Sequence, residues 1–146
     1  MSSSFMVNPH TILLAEDDDN DAFFLKRALK QAGLQHQLFV ARDGQETVNY
    51  LSGQPPFADR AEYPSPALLL LDLKMPRMSG FDVLTWLRTQ KNFDGLAVVV
   101  LSSSSQESDV QKAIALGADD FLVKPYDFHK LVGLVQAVHA RWLERA

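Results

Sequence analysis

The sequence predicts an α/β protein of the doubly wound class, in which helices cover both faces of a parallel β-sheet. Short β-type runs alternate five times with amphipathic segments along the 146 residues. This alternation is typical of a parallel sheet built by right-handed crossovers. Three of the runs are continuously apolar, which favours strands buried on both faces over strands of a half-exposed sheet.

The predicted elements follow one another in regular order. The strands are expected at residues 11–15, 37–41, 67–71, 96–101 and 121–123. Each is followed by a segment in which apolar residues recur with the helical period, and these helices are expected at residues 20–32, 44–51, 80–89, 107–116 and 128–143. We expect the flavodoxin-like strand order 2-1-3-4-5, with the five helices divided between the two faces.

Local chemistry marks several helix ends. Asp43 with Glu46, and more loosely Ser79 with Asp82, have the three-residue spacing of a capping box. Asp127 is placed to cap the last helix. Glycines follow the last apolar position of three predicted helices, where a left-handed residue can close the helix. These are Gly33, Gly53 and Gly117.

Composition excludes several classes of protein. The net charge is −4, and no dense basic patch suggests binding to nucleic acid or to an anionic membrane. The absence of cysteine excludes disulfides and thiolate metal sites. No signal peptide and no bilayer-spanning apolar run is present. We therefore expect a cytoplasmic protein with a tail at residues 1–10 and one domain at residues 11–146, followed by no output domain.

The end of the third predicted strand carries a carboxylate that requires an explanation. Asp72 directly follows an apolar run, and a buried carboxylate is costly unless something pairs with it. The expected strand order places the first and third strands side by side. Glu16 and Asp17 would then lie beside Asp72. Ser102 and Lys124 would reach the same edge from the fourth and fifth strands.

Such a cluster of carboxylates requires a cation. Two carboxylates about 5 Å apart repel by roughly 3 kcal/mol at an effective dielectric constant of about 20. Oxygen ligands, few of them from protein, favour Mg²⁺ that keeps several waters and accepts phosphate oxygens. A calcium-binding EF-hand loop is less favoured, because the acidic run lacks the downstream glycine and glutamate of that motif. The sequence thus predicts a divalent cation, most readily Mg²⁺.

Four short motifs, in this order and at these strand ends, resemble those of a known family. They are residues 13–18 (LLAEDD), residues 71–76 (LDLKMP) with Gly80, Ser102, and residues 122–125 (LVKP). The chain resembles the receiver domain of bacterial two-component response regulators over nearly its whole length. Since no output domain is expected, the resemblance is to single-domain regulators of the chemotaxis type.

The resemblance implies a phosphoryl-acceptor site. Asp72 would take a phosphoryl group from a sensor histidine kinase or a phosphotransfer protein. Glu16, Asp17 and Asp72, with the backbone carbonyl of Lys74, would bind Mg²⁺. Lys124 would pair with the phosphoryl oxygens. The protein would then be a regulator that takes part only in its own phosphorylation and dephosphorylation, not an enzyme acting on a separate substrate.

The resemblance also implies a switch. The hydroxyl of Ser102 would move toward the phosphoryl group, and Phe121 occupies the aromatic switch position. Burial of the Phe121 ring would repack the face formed by the fourth helix, fifth strand and fifth helix. This face would contact an unknown protein target. Two features depart from the common pattern: Glu16 replaces a frequent aspartate, and Phe121 has no hydroxyl. The Lys124–Pro125 bond would be the family's cis peptide.

A longer connection than usual lies between the second helix and third strand, at residues 52–66. It has the composition of a tolerated surface insertion. Together with residues 42–45 it also resembles a subgroup of single-domain regulators associated with phytochrome-type sensor kinases. That subgroup suggests a sensor kinase partner and possible homodimers.

Two other functions share part of this pattern. A Mg²⁺-dependent phosphatase of the haloacid dehalogenase type would use a strand-end aspartate, but it requires a second aspartate where Lys74 stands. A flavodoxin-like cofactor-binding protein requires a Ser/Thr-rich phosphate cradle after the first strand, where this chain is acidic.

The remaining polar residues are expected to have ordinary roles. Asp18, Asp19 and Asp21 should face solvent or favour the dipole of the first helix, with Asp18 a weaker candidate for the metal shell. The histidines are scattered over different elements, so no histidine metal site is expected. They are His10, His36, His129 and His139.

Overall fold

The computed structural model describes residues 7–93, 95–103 and 106–144, and it confirms the predicted fold class. Five parallel strands form one sheet in the order β2-β1-β3-β4-β5. The strands are β1 Asn8–Ala15, β2 Gln37–Ala41, β3 Pro66–Leu71, β4 Ala97–Ser102 and β5 Asp120–Val123. The helices are α1 Asp19–Gln31, α2 Gly44–Ser52, α3 Gly80–Arg88, α4 Glu107–Ala115 and α5 Phe128–Val138, the last followed by a π-helical turn, His139–Leu143.

Alternate residues of the central strands enter two separate cores, which is why these strands are apolar throughout. Leu69 and Leu71 pack on the side of α2, α3 and α4, whereas Leu68 and Leu70 pack on the side of α1 and α5. All four are at most 2% exposed. Fully burying a leucine stabilises a fold by about 1.5–3 kcal/mol, so β3 anchors both layers.

Two boundaries differ from the sequence prediction. Strand β1 begins at Asn8, which pairs with Pro66 before a register shift, so residues 8–10 belong to the sheet and not to a tail. The polar segment around Pro9 gives no strand signal of its own. The last helix is regular only to Val138, after which the amide of Glu144 donates to the carbonyl of His139 in a wider turn. Hydrophobic periodicity alone does not distinguish such a turn from α-helix.

The predicted helix caps are present, with one difference. Ser79 and Asp82 form a reciprocal capping box at α3. At α2, Asp43 accepts a hydrogen bond from the amide of Glu46, but the Glu46 carboxylate accepts one from the amide of Arg42 instead of closing the box. Asp127 caps α5, and the three predicted glycines have left-handed φ values of 71° to 105°.

The segment between α2 and β3 is packed against the domain. The ring of Tyr50 lies 5.1 Å from that of Phe57, and Phe57 lies 5.2 Å from Tyr63. Arg60 donates to the backbone carbonyls of Tyr50 and Phe57, at 2.8 and 3.1 Å. This aromatic cluster, which also contacts Phe39 of β2, shows that the segment is an integral part of the structure.

Within the part of the chain that the structure describes, no helix has both the length and the apolar character needed to cross a bilayer.

Candidate functional site

Three carboxylates converge at the carboxyl ends of β1 and β3. The amide of Asp72 donates to the carbonyl of Ala15, and the amide of Glu16 donates to that of Ala41, so the ladder of the sheet fixes both acids one residue beyond the strands. Glu16 and Asp72 are buried, at 3% and 7% exposure, while Asp17 is exposed. One oxygen of each of these three carboxylates lies within 4.8 Å of the others.

Lys124 brings a positive charge into this cluster from the end of β5. Its Nζ lies 2.5 Å from Glu16 Oε1, 2.9 Å from Asp21 Oδ2 and 3.5 Å from Asp72 Oδ2. Burial alone would lower the pKa of Lys124, but the hydrogen bonds with Glu16 and Asp21 and the charge of Asp72 raise that pKa above its ordinary value. Lys124 therefore stays cationic.

One lysine does not neutralise this many acids. Burial, together with the charge of Asp72, raises the pKa of Glu16 from 4.5 to about 7, although the hydrogen bond from Lys124 opposes the rise. Glu16 is therefore protonated at a higher pH than an ordinary glutamate unless further positive charge arrives. An all-oxygen donor set with excess negative charge suits a hard divalent cation. Glu16, Asp17 and Asp72 fit such an ion.

The loop after Asp72 is held by a close backbone approach. The amide of Gly80 donates to the carbonyl of Leu73 at 3.0 Å. A Cβ on Gly80 would lie 2.8 Å from the Cα of Leu73 and closer still to the carbonyl oxygen of Asp72. Arg77 adopts a positive φ of 64° and pairs with Asp43. Only glycine allows α3 to start this near the acidic cluster.

The two predicted switch residues lie in β4 and β5, Ser102 at the end of β4 and Phe121 within β5. Ser102 is 1% exposed at the end of β4, and its carbonyl accepts a hydrogen bond from the amide of Lys124 at 2.8 Å. Phe121 is half-buried and packs against the core on the α2, α3 and α4 side. The structure thus places Ser102 next to Lys124, and Phe121 in the strand that leads to Lys124.

The Lys124–Pro125 bond is not cis, contrary to what the resemblance implies. The cis X-Pro bond among the described residues is Pro55–Pro56. Cis and trans forms of an X-Pro bond differ by only about 0.5–1 kcal/mol, so a short motif does not determine the isomer.

Sequence reasoning missed two roles in the acidic run. Asp21 was expected to face solvent or the helix dipole, yet its carboxylate pairs with Lys124. Asp18 accepts hydrogen bonds from the amides of Asn20 and Asp21 and so caps α1. The Asp18 cap was detectable, because an aspartate just before a helical segment is a typical capping residue. The pairing of Asp21 with Lys124 was not detectable from the sequence, because it depends on the rotation of α1 about its axis.

Lys74 lies at the rim of the cluster. Its amide faces Asp72 Oδ1 at 3.4 Å, too long for a strong hydrogen bond. The contribution of its backbone carbonyl to a metal stays a prediction.

Known proteins match this chain over most of its length. The family model of the response regulator receiver domain matches residues 12–136. The response regulator Rcp1 of Synechocystis sp. is 32% identical over 136 residues, which cover 93% of this chain and 90% of Rcp1.

Solved structures give the same result. The response regulator RPA3017 in red light signalling of R. palustris is 34% identical with a TM-score of 0.87, over 93% of this chain and 95% of that one. The Mn²⁺-bound form of Rcp1 has a TM-score of 0.81 at 32% identity, over 94% and 97%. The phosphorylated cyanobacterial phytochrome response regulator RcpA has a TM-score of 0.84 at 29% identity, over 94% and 96%. Together with the strand-end cluster, these matches show that the chain belongs to the response regulator receiver domain family.

Proposed function

We propose that this protein is a phosphorylation-dependent switch of a two-component system, and that Asp72 accepts the phosphoryl group. One observation carries the proposal. The buried Asp72 carboxylate lies at a strand end within 3.5 Å of the Lys124 ammonium and beside two further carboxylates suited to a divalent cation. Phosphoryl transfer depends mainly on such positioning and on neutralisation of charge.

The transfer uses residues already in place. An oxygen of Asp72 attacks phosphorus and forms the P–O bond of an acyl phosphate, while the bond from phosphorus to the nitrogen of the donor histidine breaks. Lys124 pairs with an oxygen of the incoming group. Glu16, Asp17 and Asp72, with the backbone carbonyl of Lys74, would hold Mg²⁺, which would supply additional positive charge. The Mn²⁺-bound form of the related Rcp1 supports a divalent ion here.

The donor is a sensor histidine kinase or a phosphotransfer protein. RPA3017 is a regulator in red light signalling and RcpA is a phytochrome response regulator, and both resemble this chain over nearly its full length. These relatives support a phytochrome-type sensor kinase as the partner.

The output surface is the face formed by α4, β5 and α5. A phosphoryl group on Asp72 adds up to about two negative charges and three acceptor oxygens, toward which the hydroxyl of Ser102 can turn. Phe121 then repacks the face, which already exposes Ile114 at 47% and Val123 at 46%. Exposed apolar side chains of this kind suit contact with a protein target or a second copy of the chain.

Phosphotransfer from a kinase tests the proposal. The autophosphorylated core of a phytochrome-type histidine kinase is mixed with the protein and Mg²⁺, and transfer is followed on a phosphate-affinity gel. The wild type should gain the group, whereas Asp72→Asn should not. Equal labelling of the wild type and Asp72→Asn would overturn the assignment, as would failure of the wild type with both this kinase and a small-molecule phosphoryl donor.

A further inference from the structure

Three histidines meet at the amino-terminal end of the sheet, opposite the acidic cluster. His10 lies in β1, His36 immediately precedes β2, and His139 begins the π-helical turn. The His36 and His139 rings are 5.1 Å apart between centroids, and those of His10 and His36 are 6.2 Å apart. These three histidines come from different elements, as the sequence indicates, but the fold brings their rings together. They line a cleft of about 500 Å³.

Two of the rings are in hydrogen-bond contact through one nitrogen each. His36 Nε2 lies 3.0 Å from His139 Nδ1, and the other nitrogen of His139, Nε2, lies 3.8 Å from the carboxylate of Glu144. A hydrogen on His139 Nε2 faces that carboxylate favourably, which leaves a lone pair on Nδ1 directed toward His36. Among the described residues, buried His36 Nδ1 has no hydrogen-bond partner.

The 3.0 Å separation of the two facing nitrogens is that of a hydrogen bond, and it is also near the separation of two imidazole nitrogens on one metal ion. Two nitrogens bound to a tetrahedral Zn²⁺ lie about 3.3 Å apart, close to the separation of the His36 and His139 nitrogens. Metal-bound histidines usually direct their second nitrogen at a carboxylate, as His139 does toward Glu144.

We propose that His36 Nε2 and His139 Nδ1, completed by His10 and water, bind one divalent transition ion of the Zn²⁺, Ni²⁺ or Cu²⁺ type. Neutral imidazole suits these ions and not Mg²⁺, so this site differs in selectivity from the acidic cluster. On binding, His36 carries its hydrogen on Nδ1 and frees the Nε2 lone pair. The exposed ring of His10 turns toward the ion. The ion then links β1, the start of β2 and the turn after α5.

Calorimetric titration with Zn²⁺ tests this site in the full chain. Saturating Mg²⁺ keeps the acidic cluster occupied. The wild type should bind one equivalent, and His36→Gln or His139→Gln should each weaken binding at least about 10-fold. His129→Gln is the matched control, because His129 lies in the first turn of α5 at the opposite end of the sheet, and it should bind as the wild type does. Wild-type affinity in His36→Gln and His139→Gln, or no wild-type binding, overturns the proposal.

Nuclear magnetic resonance of the histidine rings keeps the test decisive if a variant does not fold. In the wild type with Mg²⁺, substoichiometric Zn²⁺ should shift or broaden the ring signals of His36, His139 and His10 and leave that of His129 unchanged. An equal response of His129, or no response of His36 and His139, would show that the ion binds elsewhere.

Discussion

The two ends of the sheet collect titratable groups in different ways. At the carboxyl end, Glu16 and Asp72 directly follow β1 and β3, and the sheet ladder continues through their amides. At the amino end, His10 and His36 precede Thr11 and Gln37, which are partners in the parallel register of β1 and β2. Sheet topology therefore explains how both pairs come together.

The two clusters differ in the element that supplies the third side chain. Lys124 enters the acidic cluster from β5, so the strand order predicts its position. His139 reaches the histidine cluster from the turn after α5, so its position depends on where that helix ends. Groups on strands can be located from topology, whereas groups on helix ends require the coordinates.

The largest effect expected concerns the backbone at the acidic end. Gly80→Ala forces a Cβ within 2.8 Å of the Leu73 Cα and should lower the free energy of unfolding by about 3 kcal/mol or more. Gly133→Ala in α5 is the matched control, since beyond its chain neighbours and the backbone of its own helix no described atom lies within 4 Å of the added Cβ, and it should stabilise by about 1 kcal/mol. Urea unfolding measures both. Equal stability of the two variants would show that the loop after Asp72 is not tightly placed.

The second effect is a loss of stability as pH rises, and it belongs to the acidic end. Without divalent ions, the folded state retains the Glu16 proton that the unfolded chain releases near pH 4.5, because the folded pKa is about 7. The retained proton contributes roughly 3 kcal/mol to the free energy of unfolding. This contribution is fully present below pH 4.5 and is lost as the pH rises to about 7. Unfolding in EDTA from pH 4 to 8 should show this loss relative to Glu16→Gln, and Mg²⁺ should reduce it. A difference between the two proteins that does not vary with pH would contradict it.

The histidine end should respond to pH in the opposite sense. Burial first, and then His139 and His10, hold the pKa of His36 below 6.5, so the unfolded chain takes up this proton before the folded protein does. Stability is present above pH 6.5 and is lost as pH falls below it. The free energy of unfolding is measured against pH for Glu16→Gln and for the double variant Glu16→Gln, His36→Gln. The difference between them isolates the smaller pH dependence that is due to His36. If the protein that retains His36 became more stable than the double variant as the pH falls, a neutral His36 would be excluded.

The smallest effect concerns the partly exposed partner of Lys124. The side chain of Asp21 is 45% exposed, and a solvent-accessible ion pair contributes at most about 1 kcal/mol. Asp21→Asn should therefore change the free energy of unfolding by less than about 1 kcal/mol and leave phosphorylation intact. Asp19→Asn, which removes an exposed pair with Arg42, provides the comparison. Loss of phosphorylation in Asp21→Asn alone would make Asp21 part of the acceptor site.

Much of the fold was predictable because its signals are local and repeated. The apolar run of β3 reads directly as a strand buried on both faces, and its two leucine faces confirm this. The positions of Glu16, Asp17 and Asp72 followed from strand order, since parallel strands bring their carboxyl ends to one edge.

The rest depended on contacts between segments distant in the sequence. Polar composition suggested a surface insertion between α2 and β3, but Phe57, Tyr63 and Arg60 pack this segment onto Tyr50. The π-helical turn after Val138 has no signal in the apolar pattern, and it begins at His139, whose ring contacts that of His36.

The central claim is that Asp72 accepts a phosphoryl group with the help of a divalent cation. Incubation with acetyl phosphate, with and without Mg²⁺, followed by intact mass measurement tests it most directly. Exposed Glu62→Gln serves as the control for modification of surface carboxylates. We expect one phosphoryl adduct on the wild type and on Glu62→Gln, dependent on Mg²⁺ and absent from Asp72→Asn. An equal adduct on Asp72→Asn, or an adduct that does not require Mg²⁺, would contradict the claim.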